Sequence, residues 1–147
     1  RQVGETMAFL SWRNEYRVGV EQIDEEHRYL FDLINAFHDT HVGGTKRSAL
    51  EQILNRLVHY AEQHFRHEEA IMKAEAYPAY VEHCALHEDL YLTIFRLSEK
   101  LAAGSLQVDM ETVRFIRSWL VEHIVKHDLQ FSDYLARRPK PAPTGET

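Results

Sequence analysis

Two imidazoles stand four residues apart in the stretch His83-Cys84-Ala85-Leu86-His87, and a histidine and a carboxylate keep the same spacing at His64 and Glu68. Four residues is about one turn of an α-helix, so each pair projects from one face toward a common point. His27 and His123 add one imidazole each, in a chain with ten histidines. A single histidine on an apolar stripe is ordinarily satisfied by a polar neighbour. Five of them with a glutamate cannot all be, because each unpaired buried polar group costs roughly 1–3 kcal/mol and an isolated carboxylate far more. A metal is the common partner that accepts neutral imidazole and carboxylate together. Four-coordinate zinc would leave ligands over, and the H-E-x-x-H pattern is absent. Calcium and magnesium call for oxygen ligands. Imidazoles with bridging carboxylates suit a pair of first-row transition ions, iron foremost. The Glu-x-x-His step of ferritin-like di-iron bundles is also missing, since no glutamate here has a histidine three residues later.

The elements that must position these groups are helices. Ile23, His27, Leu30, Phe31, Ile34 and Phe37 recur at three- and four-residue steps, with Asp24 as the expected N-cap and Gly43-Gly44 as the stop. Thr45 is the expected cap of a second helix, whose inward stripe runs Leu50, Leu54, Leu57, Ala61, His64, Glu68, Ile71 in heptad steps. Tyr77-Pro78 marks a break, with Pro78 fitting the first turn of a third helix. That helix carries Tyr80, His83, His87, Leu90, Ile94, Leu97 and Leu101, and ends at Gly104. Asp109 caps a fourth, with Val113, Ile116, Leu120 and His123 on one face. No segment alternates as a strand does. The expectation is an all-α, up-down-up-down four-helix bundle, with residues 9–22 as an extended arm across its body. Residues 1–8 read as a flexible extension, 9–136 as the single domain and 137–147 as a proline-rich disordered tail. The chain opens on Arg1, with Met7 as a candidate initiator, which points to a piece of something longer.

Composition sets the outer limits. The chain has 147 residues, 44% of them hydrophobic and 27% charged, as in an ordinary globular domain. The net charge of −6, with no basic stripe, argues against nucleic acid. No apolar run reaches the ~18–20 residues of a membrane span, and the N-terminus lacks a signal-peptide pattern. One cysteine, Cys84, fits a reducing, cytoplasmic setting.

Four pieces then carry a family likeness: VGVEQIDEEH ending at His27, HFRHEE at 64–69, the HCALH pair, and WLVEHIVKHD at 119–128. In this order, from Trp12 to Tyr134, the sequence resembles the hemerythrin family, in its single-domain bacterial branch. The resemblance implies seven metal ligands, which fall on His27, His64, Glu68, His83, His87, His123 and Asp128. It implies two irons bridged by Glu68, Asp128 and a solvent-derived oxygen. His83, His87 and His123 would serve one ion, and His27 and His64 the other, which keeps a position open for dioxygen. One spacing is awkward. His123 to Asp128 is a five-residue step, roughly 140° around a regular helix at ~100° per residue, so spacing alone favours His127. The likeness favours Asp128, reached through a local distortion such as a π-bulge. His127, His38, His41, His59 and His67 are expected outside the ligand set, and Cys84 as a small packing residue.

Phe31, Phe65, Trp119 and Leu120 flank the inward ligands and are expected to wall the oxygen pocket, Leu120 over the vacancy. Apolar walls without an acid or base favour holding dioxygen over consuming it. The resemblance implies that oxygen takes two electrons from the ferrous pair, is held as hydroperoxide and leaves unchanged. The expected function is therefore a reversible oxygen carrier or store with no catalytic residues. The alternatives are an oxygen- or redox-sensing module with a protein partner or fused signalling domain, and a di-iron peroxide or nitric-oxide reductase.

Overall fold

A computed structural model of the chain describes residues 8–44 and 46–139. Four main helices follow one another: α1 (Glu21–Val42), α2 (Arg47–Ala74), α3 (Tyr80–Ala102) and α4 (Met110–His123). α4 runs on through a π-helical turn, Ile124–Asp128, into α5 (Leu129–Arg137). There is no strand among the described residues. None of the described helices is long and apolar enough to cross a membrane. Short turns separate the helices, which gives the up-down-up-down bundle that the sequence calls for.

Ahead of α1, the arm is extended apart from one 3-10 turn, Asn14–Tyr16. Leu10 and Val18 of the arm are buried. Asn35 of α1 pins the arm's near end: its side chain accepts from the Leu10 amide and donates to the Leu10 carbonyl, both at 2.8 Å.

Several boundaries differ from the sequence expectation. Asp24 is not the N-cap of α1; the helix starts at Glu21 after Val20. Its carboxylate instead accepts from the amides of Val18 (2.7 Å) and Gly19 (3.1 Å), fastening the end of the arm beside the first turn. Thr45 lies outside the described residues, and Lys46 occupies the N-cap of α2. Pro78 falls in the turn before α3, which begins at Tyr80. α2 closes on a Schellman turn: Tyr77 N–H donates to Met72 O and Ala76 N–H to Lys73 O. Ala76 takes the left-handed position there, at φ 55°. Tyr77 is thereby carried into the core, and the chain cannot re-enter a helix until Ala79. The other expected ends hold. Gly43 closes α1, and Asp109 caps α4 by accepting from Thr112 N at 2.9 Å. The expected extension and tail fall mostly in residues 1–7 and 140–147, outside the described residues.

The core has two apolar clusters. The larger holds Leu30, Phe31, Ile34, Leu54, Phe65, Ile94, Ile116, Leu120 and Ile124; the smaller holds Val18, Ile23, Met72, Tyr77 and Phe131. Three helices show what separates them. On α1 His27 lies between Ile23 and Leu30, on α2 Glu68 lies between Phe65 and Met72, and on the last helix Asp128 lies between Ile124 and Phe131. A polar layer is thus clamped between two dry ones.

Candidate metal centre

All seven residues implied by the resemblance meet in this layer, and each is buried: His27, His64, Glu68, His83, His87, His123 and Asp128. They form two overlapping groups, each with one ligating atom per residue within 4.8 Å of the others. Glu68, His83, His87, His123 and Asp128 make the first; His27, His64, Glu68 and Asp128 make the second. The two carboxylates are the shared members, and their oxygens face opposite ways. Glu68 Oε1 lies 2.9 Å from His87 Nε2 and 3.1 Å from His83 Nε2. Its Oε2 lies 3.7 Å from both His27 Nε2 and His64 Nε2. Asp128 divides in the same way: Oδ1 is 3.0 Å from His83 and 3.1 Å from His123, while Oδ2 is 3.1 Å from His27.

The π-helical turn explains how Asp128 arrives. Five residues, Ile124–Asp128, make a wider turn than an α-helix allows. That widening returns Asp128 to the face of His123, and the side chain is 1% exposed. His127 turns outward and lines a groove of about 240 Å³ with Leu86, Leu90, Trp119, Glu122, His123 and Lys126.

Apart from His83 Nε2, which is hydrogen-bonded to Glu68 Oε1 at 3.1 Å, these groups do not satisfy one another across the layer. His27 Nδ1 and Nε2, Glu68 Oε2, His87 Nε2, His123 Nε2 and both oxygens of Asp128 are buried without a hydrogen-bond partner. Their close approaches are ion-pair distances in directions that form no hydrogen bond. So many orphaned acceptors and donors would be costly in a layer bounded by hydrocarbon. Cations placed among them remove that cost, and a set of five imidazoles and two carboxylates is one that first-row transition ions accept. The residues present fit an iron site.

Electrostatics say the same of the metal-free chain. Burial pushes Glu68 and Asp128 upward, but the surrounding imidazoles outweigh it: Glu68 falls to about 2 and Asp128 well below the usual carboxylate range. Burial disfavours charge on His83, yet Asp128 and Glu68 beside it raise the imidazole to about 9. His27 and His87 are raised for the same reason. In His64 burial prevails and its value is lowered. Protons on His27, His83 and His87 are thus favoured in the metal-free chain, and loading must release them. A stability prediction follows for metal-free protein. The His83 value is raised on folding, so its contribution is complete below its ordinary 6.5 and is lost as pH rises through about 9. The melting temperature of metal-free protein should fall across that window, whereas metal-loaded protein, whose imidazoles carry no titrating proton, should hold steady. Equal pH profiles for the two forms would refute this.

Beyond the seven, the structure adds two carboxylates that the seam pattern misses. Glu26 Oε1 accepts from His64 Nδ1 at 2.8 Å, and Glu69 Oε2 accepts from His87 Nδ1 at 2.7 Å. Each adjoins a ligand in sequence, at His27 and Glu68. Burial pushes Glu26 up, but hydrogen bonds from His64, Gln22 and His67 outweigh it and lower the carboxyl from its ordinary value. The same balance, with His87 and Arg66, lowers Glu69. Such acceptors fix the ring tautomer and turn Nε2 to the metal.

The four expected pocket residues, Phe31, Phe65, Trp119 and Leu120, all belong to the larger apolar cluster. Phe65 stacks on His87 with centroids 4.2 Å apart. Phe31 meets Trp12 and Tyr16 of the arm edge-on. Trp119 gives its indole N–H to Leu90 O at 3.1 Å. Of the other histidines, His59 and His67 are exposed, and His38, which stacks on Phe9, and His41 are half-buried. Cys84 is half-buried rather than a core residue.

The chain is similar to known proteins over most of its length. The family model for the hemerythrin HHE cation binding domain matches residues 18–135. The bacteriohemerythrin of Methylococcus capsulatus is 35% identical over 131 residues, covering 88% of this chain and 99% of its own. The myohemerythrin of Theromyzon tessulatum is 30% identical over 124 residues, covering 84% and 92%. A crystal structure of wild-type hemerythrin superposes with a TM-score of 0.79 at 34% identity, over 88% of this chain and 99% of that one.

Proposed function

The chain belongs to the hemerythrin family, and from that premise we propose that it binds dioxygen reversibly at two iron ions held in the buried histidine–carboxylate layer. His83, His87 and His123 would hold one ion and His27 and His64 the other, with Glu68 and Asp128 shared between them. The observation that carries this reading is the division of each carboxylate, one oxygen toward each histidine group. When bound, the metal pair supplies the reversible redox chemistry that takes up and releases oxygen. Oxygen would be taken up on the side of His27 and His64, which offers two imidazoles against the three of the other side.

The protein's own part is to keep that position dry and free of proton donors. Phe31, Phe65, Trp119 and Leu120 bring hydrocarbon up to the layer. The one polar atom among these four side chains, the Trp119 indole nitrogen, is committed to the Leu90 carbonyl. Water exclusion favours release of oxygen unchanged, so the reading is of a binding protein rather than an enzyme. No observation favours a sensor or reductase. The test is optical: reduce the iron-loaded protein without oxygen, admit air, then remove the oxygen. A charge-transfer band that rises and vanishes with oxygen is expected. Direct passage to the ferric spectrum, with no reversible band, would overturn the proposal.

A further inference from the structure

Glu26 holds two histidines at once. Its Oε1 accepts from His64 Nδ1 at 2.8 Å and its Oε2 from His67 Nδ1 at 2.7 Å, with Gln22 Nε2 adding a weaker bond to Oε2 at 3.2 Å. The three residues form a short line from the metal layer to water, with side-chain exposures of 1% for His64, 12% for Glu26 and 48% for His67. On this side of the site Glu26 has no rival, because Nδ1 of the other imidazole, His27, has no hydrogen-bond partner. The other histidine group is served separately: Glu69 holds His87 and is itself held by Arg66 at 3.3 Å.

We propose that Glu26 is a positioning residue that sets how strongly His64 donates to its metal, and that His67 on the surface sets how much of the Glu26 charge reaches His64. A carboxylate on the outer nitrogen of an imidazole fixes its tautomer and raises its basicity. A more basic ligand stabilises the ferric ion over the ferrous one. Glu26 has one negative charge to divide between its two donors, and any bond that draws on Oε2 leaves less for Oε1. A solvent-exposed histidine, its ring hydrogen-bonded to Glu26, thereby acts on the oxygen-side ion. The inference rests on the functional reading above, in which His64 is a ligand of that ion.

The two ends of the line should act in opposite directions. Glu26→Gln keeps an oxygen for His64 but removes the charge, so His64 donates less. The midpoint potential should rise, and oxidation of the ferrous protein to the ferric form should slow, because a less basic ligand stabilises the ferric ion less. His67→Ala leaves the whole carboxylate to His64 and Gln22, so the potential should fall and oxidation should quicken. In the Glu26→Gln background, His67→Ala should change nothing, since no charge is left to divide. The experiment measures iron per chain, midpoint potential by spectroelectrochemistry and oxidation rate for the wild type, both single variants and the double. A purely structural role would lower iron content or shift both single variants the same way. Shifts of one sign, or additive effects in the double variant, would overturn the proposal. A wild-type chain that takes up no iron would overturn the functional reading itself, and the tuning with it.

Discussion

Replacing Glu68 by alanine is expected to empty the site of both ions. Glu68 is fully buried, with one oxygen among His83 and His87 and the other facing His27 and His64. On the proposed reading its loss would remove a ligand from each ion and one of the two carboxylates shared between them. Loss of a single imidazole, by comparison, takes a neutral ligand from one ion only. The drop in metal affinity should therefore exceed the ~10–100-fold that follows loss of an outer hydrogen-bond partner. Metal binding and folding are linked here, because the orphaned groups of the layer gain their partners only on loading. Wild-type protein should then melt at a higher temperature with iron than without. The Glu68→Ala variant should melt at the same temperature in both conditions. Elemental analysis and a melting curve suffice, and two irons retained per chain would show that Glu68 does not join the ions.

The second large effect distinguishes neighbours. Asp128→Ala should abolish iron binding, whereas His127→Ala should leave the iron count unchanged. In a regular α-helix the reverse would be expected, since His127 is one turn from His123 and Asp128 is roughly 140° away. The π-helical turn exchanges them: Asp128 stands 1% exposed among His27, His83 and His123, and His127 faces the outer groove. If iron survives the loss of Asp128 and not of His127, the turn has been given the wrong role.

That exchange also shows how far the sequence could be read. Ligands on regular helical steps were legible from spacing, because a buried imidazole where leucine belongs has few explanations. Asp128 was legible only through family likeness, since period alone points one residue short. α2 went astray at its far end for a related reason. A strict heptad drifts ~20° per repeat on a straight helix, so three repeats from Leu50 leave Ile71 some 60° off the seam. Met72 is buried in its place and Ile71 is only half-buried. Asp24 looked like a cap because an aspartate ahead of an apolar stripe usually is one. Its amide partners, Val18 and Gly19, lie on an arm whose path no periodicity reveals. Glu26 and Glu69 sit one position off their stripes and read as solvated charge. Only the packing of α1 and α3 against α2 brings them onto His64 and His87.

The central claim, that Glu68 and Asp128 join two ions between two histidine groups, is tested most directly by anomalous diffraction at the iron edge from crystals of the iron-loaded protein. Two peaks are expected, one in contact with His83, His87 and His123 and one with His27 and His64, both touching Glu68 and Asp128. A single peak, or a pair in which either carboxylate contacts only one ion, would contradict it.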